Sequence, residues 1–221
     1  MHVTECPAYL IALPERRAAA ESRLRQLGWV ALEVVCAPVR GYPIGPSLSH
    51  VEAVERGLIA GNYPFVIFED DAWPTHDFRG IEVPFFLQPD ALWLSQEMTA
   101  SRGAEHGALS RWRDAGGPYV QLVNMLGLYA QVVCTEKFAR AYHDAALTAA
   151  RADLGVDLMV AQLMKHYRVL GLWEPIIFQG PEGGNHNEWS SRHRLPRTPV
   201  AHDASGPVYG WTAWPAPRAG A

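Results

Sequence analysis

Glu69, Asp70 and Asp71 stand in a row directly after the apolar run Phe65-Val66-Ile67-Phe68. Like charges held this close repel one another and are disfavoured without a cation. Hard divalent cations such as Mn2+ or Mg2+ take oxygen ligands, commonly one or two carboxylates completed by the phosphates of a substrate. Asp71 and Asp70 are therefore the candidate metal ligands, with Glu69 behind them. The competing reading is that the acids cap a turn and face water. The apolar run before them weighs against it, because it carries them out of the interior rather than along a surface loop.

Other residues of the same chemistry lie elsewhere. Arg16 and Arg17 follow the first apolar run and can pair with phosphates or point into solvent. His50 lies at the expected start of a helix, where it can meet a phosphate or the acids, or serve as a capping or core histidine. Arg102, Arg111, Arg113 and the stretch Arg192 to Arg197 are local basic patches. Trp93, Trp112, Trp173 and Trp189 can stack on sugars, but tryptophan more often belongs to a core or its rim.

The elements that must position these groups follow from periodicity. Tyr9 to Leu13 is a short apolar run ending at Pro14 and reads as a buried strand. Pro14 suits a first helical turn. Glu15 to Leu27 is rich in helix formers and stops at Gly28. Val30 to Cys36 reads as the next strand, so strand, helix and strand suggest a crossover and a parallel sheet. A Pro/Gly-rich loop over 38–46 leads to a helix starting near Ser47, with Ser49 and Glu52 at capping-box spacing. Phe65 to Phe68 is then a central strand. In an open α/β sheet ligands bind beyond the carboxyl ends of strands, and that is where this strand delivers the acids. Side chains alternate along a strand, which sets Glu69 and Asp71 on one face and Asp70 on the other. The stretch 95–118 reads as a long loop, Thr135 to Ala150 as a helix, and Asp157 as the N-cap of a further helix to Tyr167.

The chain has 221 residues, 48% of them apolar, and a formal net charge of −4. That suits one globular domain and gives no global attraction to nucleic acid or anionic membrane. Cys6, Cys36 and Cys134 are odd in number and far apart, so no disulfide framework or metal-binding pair is expected. Each reads as a small buried residue in a reducing cytoplasm. The N-terminus lacks the pattern of a signal peptide. No run reaches the ~20 apolar residues that span a bilayer.

Phe65-Val66-Ile67-Phe68-Glu69-Asp70-Asp71-Ala72 resembles the I-x-E-D-D segment of a glycosyltransferase family. That family includes the bacterial lipooligosaccharide galactosyltransferases and the collagen galactosyltransferases. Ser47-Leu48-Ser49-His50 is similar to its S-x-S-H segment. Tyr9 to Leu13 with Arg16-Arg17 is similar to its first strand and arginine-rich turn. Gly127 to Ala130 before Lys137 to Ala141, and Asp157 at the next helix, complete the likeness over roughly residues 8 to 180. Ala12 stands where the family has Asn, and Pro14 replaces a polar residue.

The resemblance implies an α/β, GT-A (Rossmann-like) fold, with a mostly parallel central sheet and helices on both faces. It implies a single catalytic domain over 1–180. From Gln179 onward Gly, Pro, Asn, His, Arg and Ser dominate, so 181–221 is expected to be an irregular tail that partly covers the active site and is disordered at its end. The resemblance further implies a nucleotide-sugar donor, a UDP-sugar, and Mn2+ or Mg2+. Leu13, Arg16, Arg17, Ser49, His50, Glu69 and Asp70 would then bind the donor. Asp71 and Asp70 would hold the metal, with His186 (or His193) adding a late ligand, and Asp157 would be the catalytic base. The expected acceptor is a hydroxyl of a bacterial surface glycan. The alternatives are a hydroxymethylated base of phage DNA, a metal-dependent phosphohydrolase using the same acids, and an inactive transferase-like sugar-binding module.

Overall fold

A computed structural model describes residues 1–36, 41–74, 80–95, 99–102, 105–174, 176–180 and 195–212, with the backbone alone at 99–102 and 105–107. The chain runs β1 (Ala8–Ala12), α1 (Arg17–Gln26), β2 (Leu32–Cys36), α2 (Ile44–Ala60), β3 (Phe65–Glu69), β4 (Ala72–Pro74), β5 (Ala91–Trp93), β6 (Thr99–Arg102), β7 (Glu105–Leu109), β8 (Arg111–Gly116), β9 (Tyr119–Asn124), β10 (Ala130–Val133), α3 (Glu136–Ala152), α4 (Val156–Leu163), β11 (Val169–Leu172), β12 (Ile177–Gln179), β13 (Pro199–Asp203) and β14 (Gly206–Gly210). Among the described residues no helix is long and apolar enough to cross a membrane.

The mostly parallel GT-A sheet is not what forms. One ten-stranded mixed sheet has the order β13-β14-β8-β9-β11-β5-β10-β3-β1-β2. Only β1–β2, β1–β3 and β5–β11 pair in parallel; every other neighbour in this sheet runs antiparallel. Connection length explains this. A parallel pair needs a crossover of a dozen residues or more, whereas a tight turn can only make a hairpin. The first strand–helix–strand segment has room for crossovers. Gly116 and Gly117, at φ +94° and +61°, close β8 onto β9, a left-handed backbone that favours glycine.

Strand alternation sorts the interior into two clusters. Tyr9, Ile11, Phe65 and Ile67 pack with Ala53 and Val54 of α2, Phe138 and Tyr142 of α3 and Val160 of α4. Ala8, Leu10, Ala12, Val66 and Phe68 pack with Ala20 and Leu24 of α1 and with Trp29. Three helices thus gather on one face and α1 covers the other.

Several local expectations are corrected. α2 begins at Ile44, not near Ser47, so Ser49 is no cap: it is buried inside the helix and its hydroxyl donates to the Gly45 carbonyl at 2.9 Å. Gly155, not Asp157, is the N-cap of α4, with Asp157 in the first turn. The stretch 95–118 holds the β6–β7 hairpin and β8 rather than a loop. The segment read as an irregular tail supplies β13 and β14, which extend the main sheet through β8. Its expected disordered end at 213–221 lies outside the described residues. Thr135 does cap α3, accepting from Phe138 N at 3.3 Å. Cys6 and Cys134 are buried free thiols, but Cys36 is exposed.

Helix α2 packs tightly on the sheet at Gly57, where a Cβ would lie 2.5 Å from Cζ of the fully buried Phe65. Glycine to alanine inside a helix ordinarily stabilises by up to about 1 kcal/mol, and overpacking costs about 1–3 kcal/mol. Gly57→Ala is therefore expected to lower the midpoint of urea unfolding; an unchanged or raised midpoint would mean that α2 slides freely on the sheet.

Candidate functional site

The interior alternation of β3 continues into the acids at its exit. Glu69 lies on the face of α2 and α3, and its Oε1 is 2.9 Å from Nε2 of His50. Nδ1 of His50 is 2.9 Å from the Tyr142 hydroxyl, which donates in turn to Gln131 Oε1 at 3.3 Å. His50, Tyr142 and Gln131 are buried. Burial holds the His50 imidazole down at about 4, so it is neutral at neutral pH. A neutral imidazole has one N–H and one lone pair, and it joins Glu69 to Tyr142 with one bond of each kind. Burial, then Asp157 and Asp70, push the Glu69 carboxyl well above the usual range.

Asp70 turns to the other face. Its Oδ2 accepts the Leu13 N–H at 2.8 Å, and Arg16 reaches its Oδ1 at 3.4 Å. A contact that long is weak, which leaves Oδ1 able to accept a further donor. The Asp70 carbonyl accepts from Arg23 at 2.6 Å, and the Ala72 carbonyl accepts from the same guanidinium at 3.1 Å. Arg23 also lies over the Trp73 ring, 4.5 Å from its centroid. One side chain of α1 thus grips the turn on both sides of Asp71.

Asp71 is held from β12. Its Oδ2 accepts from Gln179 Nε2 at 2.9 Å, and its carbonyl accepts the Gly180 N–H at 2.7 Å. Its Oδ1 is buried with no hydrogen-bond partner among the described residues. Burial and the nearby Glu69 raise the Asp71 carboxyl to about 7, against the lowering effect of Gln179. A buried carboxylate oxygen without a donor costs folding energy, and a cation would remove that cost. Among the described residues no three His, Cys, Asp or Glu side chains cluster as a metal cage. The donor set therefore suits a cation that takes one carboxylate oxygen here and fills its shell from water and substrate phosphates.

The other expected residues are placed as follows. Asp157 Oδ1 accepts the Leu158 N–H at 2.9 Å, and its charge bears on Glu69, His50 and Tyr142, so it faces the same acidic region. Arg17 is exposed, 3.9 Å from Glu21, and does not join the acids. Ser49 sits inside α2 away from them. His50 supports Glu69 from behind instead of facing a ligand. His186 and His193 lie outside the described residues.

Four functional neighbours went unread in the sequence: Arg23, Gln131, Tyr142 and Gln179. Only Arg23 carried a signal, two helical turns after Arg16 and thus on the same side of α1. The others arrive through tertiary contacts.

No family model matches the chain, and no curated protein matches it. Among solved structures it is similar to the "Crystal Structure of A197 from STIV", at a TM-score of 0.44 and 12% identity over 75% of this chain and 81% of that one. That likeness is too slight to bear on what the protein does.

Asp71 makes stability depend on pH. Its folded pKa of about 7 lies above the ordinary 3.8, so its contribution is fully present below pH ~4 and is lost as pH rises to ~7. In chelator, Asp71→Asn should be more stable than the parent protein at pH 8 by a few kcal/mol, because each tenfold change in proton affinity is worth about 1.4 kcal/mol. The two should converge near pH 4. Parallel denaturation curves with no convergence would show that Asp71 is charged and solvated.

Proposed function

We propose that this protein is a metal-dependent glycosyltransferase that moves a sugar from a nucleotide-sugar donor to an acceptor hydroxyl on a glycan. The observation that carries the reading is the acid turn after β3, where Asp71 presents a buried, unpartnered carboxylate oxygen. The resemblance of the segments around Ser49-His50 and Glu69-Asp70-Asp71 to the galactosyltransferase family supplies the donor class, a UDP-sugar.

In this reading Asp71 would hold Mn2+ or Mg2+, and the ion would supply charge neutralisation for the leaving diphosphate. Asp70, clamped by Leu13 N–H and Arg16, keeps Oδ1 open to a ribose hydroxyl. Arg23, Gln179 and Gly180 fix the turn before any ligand arrives, so little ordering remains for donor binding to supply. His50 and Tyr142 hold Glu69 in place. Asp157, on the same acidic region, accepts the proton of the acceptor hydroxyl as that oxygen attacks the sugar carbon.

Thermal unfolding with a panel of nucleoside diphosphates, in Mn2+ and in chelator, tests this. A ligand at a hundred times its dissociation constant stabilises by ~2.7 kcal/mol. UDP with Mn2+ should raise the unfolding temperature, and chelator or Asp71→Ala should abolish the rise. If no nucleotide shifts it in either condition, the transferase reading falls. If the shift persists in Asp71→Ala, the metal assignment falls.

A further inference from the structure

Tyr42 has 73% of its surface exposed, more than any other aromatic residue described here except Phe86. Its hydroxyl end is nevertheless held close to the protein. A Cβ built on Gly155 would lie 3.2 Å from the Tyr42 hydroxyl and 2.7 Å from Asp157 Oδ1. Gly155 has φ −65° and ψ 132°, extended backbone that any residue adopts. A side chain there would push both groups aside, so the glycine makes room for them and is not needed for conformation. Its missing side chain is what lets Tyr42 and Asp157 converge over one backbone position.

The arrangement is braced from below. The Ser47 hydroxyl is 2.9 Å from the Pro43 carbonyl and 3.3 Å from the Leu154 carbonyl, tying the start of α2 to the α3–α4 connection. The charge of Asp157 acts on Tyr42 on one side and on Glu69 and His50 on the other. The exposed ring therefore stands at the border of the acidic site, with a carboxylate at its hydroxyl end.

We infer that Tyr42 and Asp157, converging over Gly155, form an acceptor subsite for a neutral pyranose. An open aromatic face beside a carboxylate matches the two surfaces of a sugar ring. The C–H face packs on the ring, and the hydroxyls donate to the carboxylate. Among the described residues, the arginines that reach the acid turn, Arg16 and Arg23, bond to Asp70, and the Asp157 carboxylate is the polar group that the ring hydroxyls meet beside Tyr42. The inference rests on the transferase reading only for the word acceptor; the sugar contact stands or falls by itself.

Saturation-transfer NMR with methyl pyranosides of gluco, galacto and N-acetylglucosamine configuration tests it, on the intact protein and on Tyr42→Phe and Tyr42→Ala. UDP with Mn2+ is titrated by calorimetry in parallel. The parent protein should transfer saturation to ring C–H protons of at least one pyranoside. Tyr42→Phe should keep that signal, and Tyr42→Ala should weaken binding about tenfold or more, with UDP affinity unchanged. Equal pyranoside binding in Tyr42→Ala, or none in the parent protein, overturns the subsite. So does an oligonucleotide bearing hydroxymethylated bases that binds where pyranosides do not. Tyr42-dependent pyranoside binding with no UDP binding would keep the subsite and end the transferase reading.

Discussion

Three adjacent carboxyl groups at the end of a buried strand are the constraint around which this structure is arranged. Their mutual repulsion and their desolvation both oppose folding. The structure answers each acid separately. Glu69 takes a buried histidine, Asp70 a backbone N–H and an arginine, and Asp71 a glutamine amide on one oxygen alone. Glu69 ends β3 while Asp70 and Asp71 form the turn after it, and each is served by a different element. A ligand-free fold still leaves Asp71 raised and half satisfied, and this residual misfit is where a cation has the most to contribute.

Asp71 is held from outside the main sheet. The separate two-stranded pairing of β4 with β12 brings Gln179 and Gly180 against it. β10, inserted antiparallel between β3 and β5, places Gln131 beneath Tyr142. The polar chain from Glu69 into the interior thus crosses from β3 through α2 and α3 to β10. Buried polar groups are tolerated where they find partners, and this chain draws its partners from helices and strands in fixed relation, with Gln131 Nε2 alone of its members left without one among the described residues.

Helix α1 acts as a brace as well as a cover. Arg23 bonds the carbonyls of Asp70 and Ala72, so the turn that carries Asp71 is gripped at its backbone. Such preorganisation lowers the cost of ordering a binding site. On the opposite side Ser47 ties α2 to the α3–α4 connection, and Tyr42 and Asp157 come together over Gly155.

The sequence by itself determined the acids, the strand that carries them and the helices over α1, α2 and α3, because apolar periodicity and stop signals such as Gly28 and Gly61 act within a few residues. It also marked Asp70 and Asp71 as the groups of greatest chemical interest. It did not determine strand direction beyond the first crossover, and the expectation of a mostly parallel sheet failed there. A short apolar run has no marker for the neighbour it will choose. Ser49 and His50 were read as helix-end groups, yet three more residues of helix preceded Ser47 and turned both into the interior. Only the tertiary structure decided the partners of Glu69 and Asp71. Tyr142 lies 92 residues from His50, and Gln179 lies 108 from Asp71. Contacts over such separations are set by packing of whole elements, which no local pattern encodes.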